Sequence, residues 1–143
     1  MRNYLIVANQ TLGGEGLLHA VRSAMAHGEC RFYVVVPAAP SQQDGAWTEG
    51  ATTDKAAHRL SEGLERLRGL GAEVTGVVGD PSPMLAILDA IREQPQFDEI
   101  IVSTLPVGVS RWLRQDLPHR VQRETGLRVT HVVSAADEVV QAR

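Results

Sequence analysis

Five short, almost uninterrupted apolar runs rich in valine and isoleucine recur along the chain, at residues 4–8, 31–37, 72–78, 98–103 and 127–133. A strand with one wet face alternates polar and apolar residues, whereas continuous runs are what a parallel sheet needs when helices cover both of its faces. The stretches between the runs carry helical spacing. Leu17, Leu18, Val21 and Met25 repeat along one face, and Gly28 follows where a left-handed cap is wanted. Leu60, Leu64 and Leu67 do the same within residues 53–69. Met84, Ile87, Leu88 and Ile91 form an apolar stripe behind Pro83, whose missing N–H costs nothing in a first turn, with Ser82 as the N-cap. Pro118 interrupts the pattern Leu113, Leu117, Val121, so the spacing predicts a short turn over 109–114 and a separate helix over 117–125, capped by Asp116 and ended by Gly126. The order βαβαβαβαβ implies right-handed crossovers and an open α/β fold, a five-stranded parallel sheet between two layers of helices.

A chain of 143 residues accommodates one such domain, with its core over 3–133 and a short polar tail over 134–143. At this size folding buries roughly 68–70% of the chain's surface, so neither a metal nor a disulfide is needed as a staple. Cys30 stands alone and cannot form an internal bridge. The formal charge is −3, and the basic residues, thirteen arginines and Lys55, are scattered; no nucleic-acid partner is expected from such a balance. The first apolar run is too short for a signal peptide or a membrane span, so a soluble, cytoplasmic protein without a membrane partner is expected.

In open parallel sheets the ligand crevice lies beyond the carboxyl ends of the strands, where the strand order reverses. That position selects Asn9, Gln10, Thr11, Gly13, Gly14 and Gly16 after the first strand and Pro37 and Ala38 after the second. After the fourth it selects Ser103, Thr104 and residues 105–111, and the first and fourth loops should face each other. The glycines read as a flexible turn, because Gly14-x-Gly16 is followed by His19 and no acid ends the second strand, as a dinucleotide site requires. Lys55 lies inside a helix, which excludes a Walker A loop. Asn9-Gln10 replaces the paired carboxylates of a phosphoryl receiver. The histidines show no metal-ligand pairing, and no metal site is expected. Ser110, with His119 and His131 downstream, forms half of a nucleophile elbow and leaves a small hydrolase as one alternative; a turn hydroxyl is the simpler reading. Among the clustered arginines 111, 114, 120, 123 and 128, Arg111 and Arg114 lie nearest the crevice and offer an anion a planar fork. The long connection over 38–50 is either a lid or a solvated loop.

Gly79-Asp80-Pro81 with Ala86-Ile87 and Ala90, the run 98–102, and Gly108-Val109-Ser110-Arg111 together resemble a universal stress protein domain over residues 3–133. The resemblance implies that fold, which is adenine nucleotide alpha hydrolase-like, with strand order 3-2-1-4-5. It also implies a homodimer joined through the last strand, at Val129, His131, Val132 and Val133. ATP-binding members carry glycine, two residues, glycine, nine residues, then glycine and serine or threonine after the fourth strand. Here Ser103 and Pro106 stand at the first two glycines, Gln115-Asp116 or Asp116-Leu117 at the final pair, and Asn9 where an aspartate is found. Pro106 has no N–H for a phosphate, Ser103 adds a side chain where backbone should approach, and a capping Asp116 would set a carboxylate against the phosphates. The expectation is a dimeric binding or regulatory module without catalysis, its ATP cradle degraded and no cofactor assured. The alternative keeps a small anion or an adenine nucleotide, ATP or AMP, bound by Asn9, Thr11, Pro37, Ser103, Thr104, Gly108, Ser110, Arg111 and Arg114.

Overall fold

The computed structural model describes residues 1–39, 49–94, 96–106 and 110–134. The elements follow the expected order: β1 (Arg2–Val7), α1 (Glu15–Ala26), β2 (Cys30–Pro37), α2 (Glu49–Gly69), β3 (Val74–Gly79), α3 (Pro83–Glu93), β4 (Glu99–Thr104), α4 (Arg111–Arg114), α5 (Leu117–Thr125) and β5 (Arg128–Val133). The strands form one sheet in the order β3-β2-β1-β4-β5. Every pairing is parallel, with Leu5 level with Tyr33 on one side and Ile100 on the other.

Central β1 shows why the apolar runs are continuous. Tyr4 and Ile6 join Phe32, Val34 and Ile101 under α1 and α2, through Leu17, Val21, Ala56 and Leu67. Leu5 and Val7 point the other way, to Val35, Ile100 and Val102, beneath Met84, Ile87, Leu117 and Val121 of α3 and α5. Each of residues 4–7 therefore belongs to one of two cores, and no polar alternation survives there.

Ser82 caps α3 by accepting from the Leu85 amide at 3.3 Å, and Gly126 ends α5 in the left-handed region at φ 71°. Gly28 follows α1 with φ 146°, a positive angle outside the left-handed helical value that was expected. α2 starts at Glu49, ahead of the predicted residue 53, because its first turn carries little of the apolar stripe that periodicity detects. Most of the connection read as either a lid or a solvated loop, residues 40–48, and most of the tail, 135–143, lie outside the described residues.

Candidate functional site

β1 and β4 are neighbours whose following segments leave in different directions, which opens a crevice at their carboxyl ends. Its floor is a buried hydroxyl pair, with Thr11 Oγ1 and Ser103 Oγ 2.6 Å apart and the two residues 2% and 1% exposed. The loops after the first and fourth strands thus face each other, as expected. Asn9 stands at one end, donating through Nδ2 to the carbonyls of Pro37 at 3.0 Å and Ala39 at 3.4 Å, while its Oδ1 accepts from Arg59 Nη1 at 2.6 Å. Pro37 therefore takes part through its carbonyl, as an anchor for Asn9.

Among the described residues around the fourth loop, the polar side chains bond within the protein. Thr104 Oγ1 donates to the Leu105 carbonyl at 2.9 Å and lies 2.8 Å from His131 Nε2. A hydroxyl has one proton to give, so His131 is the donor in the second contact, which sets its tautomer. Partial burial pushes the His131 imidazole below its ordinary pKa. Ser110 is 3% exposed and caps α4, accepting from the Leu113 amide at 3.2 Å, while its own amide donates to the Pro106 carbonyl at 3.1 Å. Arg111 and Arg114 lie exposed on α4. Gly108 lies outside the described residues.

Two expectations need correction. Asp116 occupies the N-cap position of α5, but its backbone is left-handed at φ 56° and its side chain makes no capping bond. Capping needs an extended backbone that aims the carboxylate at the helix amides, and the residue that would supply one of them is Pro118. The carboxylate pairs instead with His119 Nδ1 at 2.9 Å, so it does not fill the α5 entrance as the sequence suggested. The glycines after β1 are not there for turn freedom either. Gly14 has ordinary extended angles, φ −72° and ψ 152°. Gly16 is needed for space: a Cβ there would stand 2.6 Å from the Val133 carbonyl oxygen and 2.4 Å from Ser134 Oγ.

Sequence reasoning missed the wall that α2 builds along the first loop. Arg59 reaches Asn9, Gly63 lies against Leu12 so closely that a Cβ would stand 2.3 Å from Leu12 Cδ2, and Arg66 Nη1 donates to the Gly13 carbonyl at 3.0 Å. The positions 59, 63 and 66 share a helical face, a signal present in the sequence. It was hidden because the leucines at 60, 64 and 67 define the obvious stripe.

The architecture is that of a small open α/β domain with its topological switch between β1 and β4. More narrowly, the chain has the fold of the universal stress proteins. A universal stress protein in complex with cAMP is similar over 94% of this chain and 98% of its own, at 21% identity and a TM-score of 0.58. The universal stress protein from Archaeoglobus fulgidus in complex with dAMP is similar over 92% and 98%, at 17% identity and a TM-score of 0.63. An Arabidopsis thaliana protein of the universal stress family with AMP bound covers 96% and 95%, at 10% identity and a TM-score of 0.63. No protein-family model matches the chain, and no curated protein does.

Proposed function

We propose that this chain is a non-catalytic, dimeric binding module that takes an adenine mononucleotide in the crevice between the loops after β1 and β4. The observation that carries the reading is the Thr11–Ser103 pair, which closes the floor of that crevice in a fold whose solved relatives hold cAMP, dAMP and AMP. Pro106 and the side chain of Ser103 oppose a full triphosphate cradle, since one removes an amide and the other fills space where backbone would approach oxygen. Ser110 serves as a helix cap, and the imidazoles of His119 and His131 are engaged with Asp116 and Thr104, an arrangement that favours binding over hydrolysis.

Isothermal calorimetry at moderate salt tests this. AMP, dAMP or cAMP is expected to bind at least tenfold more tightly than ATP. Equal or tighter binding of ATP, or no heat with any of the four, overturns the reading.

β5 supports the dimer reading: among the described strands it pairs only with β4, and its outer edge offers N–H and C=O groups to a second copy. The structure also selects the variant that tests it. Val132 packs into the core beside α1, so a charge there would damage the fold, whereas Val133 is 48% exposed. Light scattering should give twice the chain mass for the parent and the single mass for Val133→Asp. A parent that is already monomeric, or a variant that stays dimeric, rejects this interface.

A further inference from the structure

We infer that β5 is an acid-sensitive joint: two copies paired along this edge bring their His131 imidazoles together, so the dimer held at neutral pH loosens as those rings take up protons. This rests on the dimer reading above. Under a twofold axis two identical strand edges pair antiparallel, with the axis perpendicular to the sheet, and each face of the sheet continues into the same face of the partner. Residues that stand opposite are therefore both odd or both even in number. For the six residues Arg128–Val133, the registers that pair most of the strand put the axis at Thr130 or at His131. In the second the two His131 side chains are direct neighbours, with Cβ atoms about 4.5–5.5 Å apart; in the first they are diagonal neighbours at about 7–8 Å. Neither separation exceeds a Debye length at physiological salt, so two imidazolium charges repel in both.

The ring is held at that joint. Nε2 donates to Thr104 Oγ1 at 2.8 Å, because the Thr104 proton goes to the Leu105 carbonyl, so a second proton enters at Nδ1 and leaves the tether intact. On the same face of β5, Val129 is half-buried and Val133 is 48% exposed, so His131 sits in an apolar row that a second copy would cover. Burial already favours the neutral ring, and covering the row adds to that preference. Among the described residues His131 bonds to Thr104 and to no carboxylate. The other face carries α1, Arg128 and Glu99, the last bonded to Thr130 and Arg2. Over the His131 face, Asp116 at the start of α5 pairs with His119, and Glu124 in the last turn stands beside the beginning of β5. The cations of that layer, Arg120 and Arg123 of α5 with Arg111 and Arg114 of α4, oppose a charge on the ring.

Analytical ultracentrifugation at about pH 7.5 and about pH 5.5, which bracket the ordinary histidine pKa, tests the switch through the dimer dissociation constant. In the parent it should rise at least about tenfold at the lower pH, since dissociation takes up a proton on each copy. His131→Gln, which keeps an N–H for Thr104 but cannot charge, should hold it constant within about threefold, and His119→Gln should respond like the parent. A parent dimer equally tight at both values, a response kept in His131→Gln, or one lost in His119→Gln would overturn the switch while the dimer stood. A parent monomeric at both values would reject the dimer reading and the switch with it. The titration of the His131 ring, followed by NMR at protein concentrations above and below the dissociation constant, gives a second readout that needs no variant. Its pKa should be lower in the dimer, and an equal or higher value there would defeat the inference.

Discussion

Leu12→Ala is expected to lower the free energy of unfolding by about 2–5 kcal/mol, although residue 12 belongs to a loop. Leu12 is fully buried, and its side chain fills the hollow over Gly63 that brings α2 onto the loop after β1. The surrounding sheet and helix cannot collapse into the space, so the cavity adds to the lost transfer energy. Gly63→Ala in the parent pushes a methyl into an occupied place at a cost of about 1–3 kcal/mol. Placed beside Leu12→Ala, the same methyl enters the vacated volume. Denaturant unfolding of the two single variants and the double should therefore show compensation, the double losing clearly less than the sum. Strict additivity, or a loss below about 1 kcal/mol for Leu12→Ala, would mean that this contact does not hold α2 in place.

The second large effect is expected at Gly16. By local rules Gly16→Ala should stabilise the protein by about 1 kcal/mol, because alanine is the better helix former. The prediction here has the opposite sign, a net loss of about 1–3 kcal/mol from overpacking. A new Cβ would meet the Val133 carbonyl oxygen, part of a backbone held by the Ser134 amide donating to the Thr104 carbonyl at 2.9 Å. Ser134 Oγ can rotate away, but the Val133 carbonyl oxygen is backbone and cannot, so α1 or β5 must shift. Ser134 Oγ is already buried there without a hydrogen-bond partner among the described residues, and a methyl pressed against it offers none. Thermal and denaturant unfolding give the sign directly; a stabilised Gly16→Ala would show that α1 has room to spare.

The layers were legible in the sequence for a physical reason, whereas the strand order came from the family resemblance. Complete burial of both faces of a parallel strand erases the alternation a reader would otherwise see, and β1 and β2 retain long apolar runs as a result. Helix ends were legible where one residue does one job, as with Ser82 and Gly126. The crevice residues were placed by topology alone, and Thr11 and Ser103 do meet. What stayed hidden depended on contacts between distant positions. Arg59 is 50 residues from Asn9, and nothing local to either residue announces the pairing. Gly16 offered the wrong cue, since glycines in a loop suggest freedom of φ while this one answers to the backbone of β5. Asp116 failed similarly. Its residue type suits an N-cap, but the left-handed turn between α4 and α5 points its carboxylate at His119.

The close seat of Gly16 beneath β5 joins the first crossover helix to the final strand of the sheet. During synthesis, α1 and later β4 leave the ribosome before that strand exists, so the lower side of α1 and the outer rim of β4 stay unsealed until it follows. Native closure of the domain therefore waits for β5, and nascent fragments that lack it expose surface prone to aggregation.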